Sequence, residues 1–192
     1  MLSVRRLVLL FLVCPPLFAQ NAVVWQSLRS EEKYNQAAAL YLRGQYAPAA
    51  KLYKEACDHS NPKACTDLGF MYRGGIGVRK NYRLASELYR LGCEGGNSLG
   101  CTNLGMMYWL NELPKNDKRS ADLFKRACDA KDAGGCIGLA YMFENGQGIL
   151  QDVERAAGLY HQACDYGSVK ACIEFSRLNT PPKAEVTSAS SR

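Results

Sequence analysis

The stretch CDHSNPKAC, Cys57 to Cys65, decides the fold because the chain repeats its pattern four times. Two cysteines enclose seven residues in each copy, and the later copies are CEGGNSLGC (Cys93 to Cys101), CDAKDAGGC (Cys128 to Cys136) and CDYGSVKAC (Cys164 to Cys172). Their first cysteines follow one another at intervals of 36, 35 and 36 residues. A fixed period of this length indicates a repeat architecture in which each unit is one small supersecondary element.

Apolar residues between the cysteines have helical spacing. Leu68, Leu104 and Leu139 each follow a second cysteine by three residues, and an aromatic residue follows each leucine by four, on the same helix face. Each period therefore predicts a helix A, a loop, a helix B and a tight turn that carries the two cysteines. The predicted helices span residues 31–43, 46–57, 63–73, 82–93, 99–110, 117–129, 134–144, 152–165 and 168–178.

Glycine marks two positions of the repeat. Gly69 and Gly105 recur in the middle of helix A, which predicts a close approach by another helix. Glycines in the following loops predict left-handed backbone, and they are Gly75, Gly77, Gly146 and Gly148. The third loop, Trp109 to Asp117, is one residue shorter and lacks glycine, so it must follow another path.

The N-terminus reads as a signal peptide at residues 1–19. MLSVRRLVLLFLVCPPLFAQ has a basic start, an apolar run too short to span a bilayer, and a small residue at Ala19. A lipoprotein anchored at Cys14 is the alternative, but Val13 stands where a small residue is wanted. The predicted domains are this leader, a repeat region at 20–179 and a disordered tail at 180–192, rich in Pro, Ser and Thr.

Cleavage after Ala19 leaves eight cysteines, an even number that favours disulfides in an oxidising compartment. Zinc sites use cysteines two to four residues apart, often with histidine, whereas here the gap is seven and His59 and His161 lie outside such a spacing. The chain has no C-x-x-C redox motif. We therefore expect no metal and no cofactor, and a secreted or periplasmic protein.

Charge and hydropathy limit the classes of partner that the protein is expected to bind. The net charge is +6, or +4 without Arg5 and Arg6 of the leader, and no Lys/Arg block suggests nucleic-acid binding. No later segment is long and apolar enough to span a membrane. The expected partner is a protein or peptide, with a component of the cell envelope as one candidate.

The residues carry a family resemblance over about 31–178. Leu68 to Ala85, L-G-x-M-Y-x-x-G-x-G-V-x-x-N-x-x-x-A, resembles a Sel1-like repeat, a relative of the tetratricopeptide repeat, and the first unit, from Ala37 through GQYAPAAKLYKEAC, is closer to the tetratricopeptide form. The added C-x7-C resembles the Helicobacter cysteine-rich proteins. The resemblance implies an all-α, α/α solenoid (superhelix) of four helix-hairpin repeats with a C-terminal capping helix.

The repeat favours one disulfide pairing among the 105 that eight cysteines allow. The first cysteine ends helix B and the second begins the next helix A, so neighbours meet across each turn. The expected bonds are Cys57–Cys65, Cys93–Cys101, Cys128–Cys136 and Cys164–Cys172.

Mapping helix A onto the tetratricopeptide pattern predicts which side chains face a ligand groove. These predicted groove residues are Tyr34, Tyr41, Thr66, Phe70, Arg73, Thr102, Met106, Trp109, Ile137, Tyr141 and Glu144. Helical spacing cannot separate a groove position from a position packed between helices, so both interpretations stay open.

Two function classes follow from the resemblance: a binding scaffold, and a penicillin-binding protein with weak β-lactamase activity. The serines of SNPK (Ser60 to Lys63) and SEEK (Ser30 to Lys33) match the S-x-x-K element of serine β-lactamases, but S-D-N and K-T-G are absent. We assign no catalytic residue. A third class, assembly factors of the mitochondrial intermembrane space, would want an amphipathic, Ser/Arg-rich presequence that the leader is not.

Overall fold

A computed structural model describes residues 17–180, with side chains from Val24 onward. The predictions for residues 1–16, Cys14 included, and for residues 181–192 lie outside this range. Within it the chain forms nine α-helices and no strand: α1 Leu17–Leu42, α2 Tyr46–Asp58, α3 Pro62–Gly74, α4 Tyr82–Glu94, α5 Ser98–Trp109, α6 Asp117–Asp129, α7 Ala133–Asn145, α8 Val153–Asp165 and α9 Val169–Asn179. Repeated helix hairpins of this kind define the α/α-solenoid class.

The helix bounds agree with the predicted ones to within one residue, except at the start of α1. That helix begins at Leu17, whereas the prediction began at residue 31. Residues 17–30 contain neither proline nor glycine, so nothing in the local sequence stops the helix. Val24, Trp25 and Leu28 are exposed, so residues 24–30 lack the one-sided apolar stripe by which the other helices were predicted.

Helix starts follow ordinary capping chemistry. Asn61, the cap of α3, accepts a hydrogen bond from the Ala64 amide at 3.0 Å, and Pro62 occupies the first turn. Ser60 has φ +62° and belongs to the turn that precedes the helix, so the cap is Asn61.

The chain divides into two compact units, residues 1–100 (unit 1) and residues 101–192 (unit 2). In unit 1, α1 packs on α2, α2 on α3 and α3 on α4, around a core that includes Ala37, Tyr53 and Met71. In unit 2, α6 packs on α7, α7 on α8 and α8 on α9, with Phe124 and Tyr160 in its core.

The mid-helix glycines allow close packing, as predicted. A Cβ atom added at Gly69 would lie 2.9 Å from the ring of Tyr89, and one at Gly105 would lie 3.0 Å from the ring of Phe124. Both distances are below ordinary van der Waals contact, so any larger residue would push an aromatic ring out of its place. The small residue is thus a packing requirement of helix A against helix B.

The loop glycines have the left-handed backbone predicted for them, with φ +72° at Gly75 and +67° at Gly77. Gly77 also lies against the start of α2, where an added Cβ would stand 2.7 Å from the backbone nitrogen of Ala47. The glycine-free third loop does take another path, and Asn111 supplies its left-handed residue with φ +61°. Asparagine tolerates this conformation better than most residues with a side chain.

The disulfide pairing follows the prediction. Cys57–Cys65, Cys128–Cys136 and Cys164–Cys172 are bonded, with Cα–Cα distances of 4.7, 4.5 and 4.7 Å, and Cys93 and Cys101 are disulfide-bonded too. In all four C-x7-C turns the third residue after the first cysteine has positive φ: 62° at Ser60, 92° at Gly96, 62° at Lys131 and 92° at Gly167. This one left-handed residue belongs to every turn between helix B and the next helix A.

Candidate functional site

The predicted groove residues of unit 1 differ in exposure. Phe70 is 45% exposed, and Tyr34, Tyr41 and Arg73 are half-buried. Thr66 is only 1% exposed, and its hydroxyl donates to the Pro62 carbonyl at 3.0 Å. The Thr66 side chain therefore packs inside the protein, with its hydroxyl hydrogen-bonded within its own helix.

Unit 2 shows the same division. Thr102 is buried, and its hydroxyl donates to Asp132, the cap of α7, at 2.8 Å. Trp109 and Tyr141 meet edge to face with ring centroids 5.1 Å apart, and the Trp109 indole donates to Gln147 at 2.8 Å. Met106 packs at the edge of the core. Of this aromatic pair, Tyr141 is 38% exposed and Trp109 is half-buried.

A recess of about 220 Å³ opens in unit 1 between Tyr41, Tyr53, Asp67 and Phe70. The Tyr34 and Tyr53 rings, 5.7 Å apart, flank the half-buried Asp67. Burial raises the pKa of Asp67, although hydrogen bonding from the Tyr34 and Tyr53 hydroxyls opposes that rise. Burial of Tyr34 itself and the nearby carboxylate of Asp67 raise the pKa of Tyr34 to about 12. The recess thus combines aromatic walls with one acidic group.

A second recess, of about 190 Å³, lies in unit 2 between α7, α8 and α9, and it contains the predicted groove residues Ile137, Tyr141 and Glu144. Here Arg177 donates to Glu144 at 2.5 Å and to Glu174 at 2.7 Å, and the Tyr160 hydroxyl donates to Glu144 at 3.1 Å. The two carboxylates raise the pKa of Arg177. This recess is therefore occupied by an ion pair network among the protein's own side chains.

A third recess, of about 490 Å³, involves α6 and α8 and the loop before α8. It brings together Asp122, Lys125 and Asp129 of α6 with Arg155, whose guanidinium lies 4.9 Å from the centre of the Phe143 ring. None of these was a predicted groove residue, because the prediction considered the face of helix A alone.

Sequence reasoning also missed the residues that give the two smaller recesses their chemistry. Thr66 lies one residue after the second cysteine of its turn, whereas Asp67 and Glu174 lie two residues after theirs. Tyr53 and Tyr160 belong to helix B, which the groove prediction did not consider. An acidic residue two positions after the second cysteine, in two of the four turns, was the available signal.

The two serines of the S-x-x-K matches are differently placed. Ser30 is 4% exposed and donates to the Ser27 carbonyl at 2.8 Å, while Lys33 forms an ion pair with Glu55. Ser60 lies in the turn before α3, and Lys63 pairs with Glu31 at 3.8 Å. Each lysine therefore has a carboxylate partner, and neither is shown in contact with the serine of its own motif.

Residues 17–180 contain no cluster of three or more His, Cys, Asp or Glu side chains arranged to hold a metal ion. The same part of the chain has no helix both long and apolar enough to cross a bilayer.

Comparison with known proteins places the chain in a family. The Sel1 repeat matches residues 62–97, 98–132 and 133–168, which together exceed half of the chain. The chain therefore belongs to the Sel1 repeat family, as its sequence indicated. A search of curated proteins found no match.

Solved structures show the same architecture. A Sel1 repeat protein from Oxalobacter formigenes superposes with a TM-score of 0.71 at 23% identity, over 77% of this chain and 62% of that one, and this likeness shows the fold alone. A protective antigen of uropathogenic Escherichia coli with an SLR fold gives 0.71 at 26% identity, over 82% and 36%. Cysteine-rich protein B of Helicobacter pylori gives 0.53 at 27% identity, over 65% and 96%. The chain thus spans less than two thirds of the first two proteins.

Proposed function

We propose that this protein is a secreted or periplasmic scaffold whose helix A faces bind a protein or peptide. Sel1 repeats are generally protein-interaction modules, and the disulfides are compatible with life outside the reducing cytosol. Bonded turns between the helices hold their side chains in fixed positions, which reduces the entropy lost when a partner binds.

The observation that carries the proposal is the partial exposure of aromatic side chains beside recesses. Phe70 is 45% exposed at the unit 1 recess, and Tyr141 is 38% exposed at the unit 2 recess, in contact with Trp109. Aromatic residues are enriched at protein interfaces because they bury much area for little lost freedom. An extended or helical peptide could contact these side chains through its own alternating or helical pattern.

The test is selection of peptides from a random library on the purified, oxidised protein, followed by calorimetry. We expect Phe70→Ser or Tyr141→Ser to weaken an enriched peptide about tenfold or more, since buried aromatic contacts dominate such interfaces. Arg83→Ala, at a side chain 91% exposed on α4, is the control and should change the affinity little. Peptides that bind both serine variants and the control equally would contradict the proposal.

Turnover of a chromogenic β-lactam by the same oxidised protein distinguishes the scaffold from the enzyme that the family resemblance suggested. We expect no turnover above buffer. Turnover that disappears in Ser60→Ala or Ser30→Ala would show a catalytic function instead.

A further inference from the structure

The four residues that line the unit 1 recess have counterparts, at the same positions of the repeat, among the residues that line the unit 2 recess. Those positions hold Tyr41, Tyr53, Asp67 and Phe70 in unit 1, and Glu144, Tyr160, Glu174 and Arg177 in unit 2. The second to fourth correspond by their distance from the cysteines of the turn, and the first by its distance from a buried alanine of helix A, Ala37 or Ala140. The two recesses can therefore be compared position by position.

The unit 2 recess shows what the arrangement accepts. The guanidinium of Arg177 bonds both Glu144 and Glu174, and Tyr160 completes the group with its hydroxyl. Charge-assisted hydrogen bonds of this kind are the strong ones, and the fork of an arginine suits two carboxylate partners. The protein's own chain thus supplies a cation to this position.

The unit 1 recess has the acid without the cation. Phe70 stands where unit 2 has Arg177, and among the described residues no lysine, arginine or histidine pairs with Asp67. On the helices that form this recess, Lys33 pairs with Glu55, Lys54 with Asp58 and Lys63 with Glu31. A half-buried carboxylate with only phenol donors carries an electrostatic cost that a bound cation would remove.

We propose that the recess formed by Tyr41, Tyr53, Asp67 and Phe70 binds an arginine side chain of a peptide partner. A metal ion would need several more oxygen ligands than one carboxylate provides. An organic cation gains attraction from the faces of the aromatic rings, and a guanidinium is less strongly hydrated than an ammonium. This inference rests on the proposed binding function and names what the partner must offer.

The site can be tested without any peptide partner. N-acetyl-arginine methylamide is titrated into the ¹⁵N-labelled, oxidised protein, with the neutral isostere N-acetyl-citrulline methylamide as control. We expect the arginine compound to shift amide resonances of α3 near Asp67 and Phe70 with a dissociation constant of about 1–10 mM, and the citrulline compound to bind about tenfold more weakly or less.

Substitution at Asp67 removes the charge and keeps the shape. Asp67→Asn should weaken the arginine compound about tenfold or more, whereas Glu87→Gln, an equal charge change at an exposed residue of α4, should leave it unchanged. Equal shifts with the citrulline compound, undiminished binding to Asp67→Asn, or shifts confined to other helices would overturn the inference.

Reciprocal substitutions at Phe70 and Arg177 test the same inference independently of Asp67→Asn. Phe70→Arg should place the protein's own guanidinium beside Asp67 and abolish binding. Arg177→Phe should free Glu144 and Glu174 and create a second site, with new shifts in α7 and α9. If Arg177→Phe gains no site, the comparison between the two recesses fails. If selected peptides bind without arginine, the scaffold function stands and this inference alone is wrong.

Discussion

The cost of breaking a single disulfide can be calculated from the ring that it closes. Cys57–Cys65 and Cys164–Cys172 each join residues eight apart, so their rings contain the same number of residues. On the chain-entropy model, a ring of about nine residues restricts the unfolded chain by about 2.6 kcal/mol. Because ring size is equal, this entropic part should be equal for the two bonds.

The two bonds differ in burial, and that difference separates packing from entropy. Cys57 and Cys65 are buried, whereas Cys164 and Cys172 are half-buried. Replacing each pair by alanine should therefore lower the free energy of unfolding by about 2.6 kcal/mol at the second bond and by somewhat more at the first, where a small cavity is left. Urea unfolding followed by circular dichroism, without reductant, measures both.

The chain-entropy model predicts a loss of stability even at the less buried bond. A loss of less than about 1 kcal/mol for the Cys164/Cys172 variant would refute it, since that bond has little packing to lose. Wild type and variants should also converge when every disulfide is reduced, because the crosslinks then no longer distinguish them. Variants that remain as far apart after reduction would show that the lost sulfur contacts, and not the ring, carry the effect.

Three further predictions concern the backbone and the unit 1 recess. Gly77→Ala should lower the free energy of unfolding by more than about 2 kcal/mol, because an added Cβ would meet the backbone of α2. Gly44 has an equally positive φ but open space around it, so Gly44→Ala should lower the free energy of unfolding by only about 1 kcal/mol. Urea unfolding measures both losses, and equal losses would contradict the packing argument. Ser60→Gly and Lys131→Gly should each stabilise the fold by about 0.5 kcal/mol, since glycine adopts their left-handed backbone without strain, and a lower melting temperature would count against it. The pKa of Asp67 is raised in the folded state, so its contribution to stability is present below its unfolded pKa and is lost as pH rises through the folded pKa. Between pH 3 and pH 7 the melting temperature of Asp67→Asn should therefore rise relative to that of the wild type. A difference in melting temperature that stays constant over this range would refute this.

The fold was predictable because local signals agree. Cysteine spacing and leucine–aromatic pairs four residues apart repeat with one period, two of the loops share their glycines, and together these signals gave the helix bounds. The start of α1 could not be predicted, because an exposed helix leaves no apolar periodicity.

The candidate site was predicted less well, for a different reason. Spacing assigns Thr66 and Phe70 to one helix face, yet Thr66 is buried and Phe70 is exposed, since burial depends on which helix lies opposite. Asp67 and Tyr53 come from different helices, and their meeting depends on the angle at which those helices pack. Such contacts are tertiary information, which the period of one helix does not contain.

The short rings also bear on how faithfully the chain can oxidise. Cysteines that pair across a turn are eight residues apart, whereas cysteines of neighbouring turns are at least 27 residues apart, as Cys101 and Cys128 are. Loop-closure entropy favours the shorter encounter by about 1 kcal/mol, before any helix has formed. Correct pairing is therefore kinetically preferred at every C-x7-C turn. A chain that meets an oxidant from its N-terminus onward can close each bond before the next pair of thiols arrives.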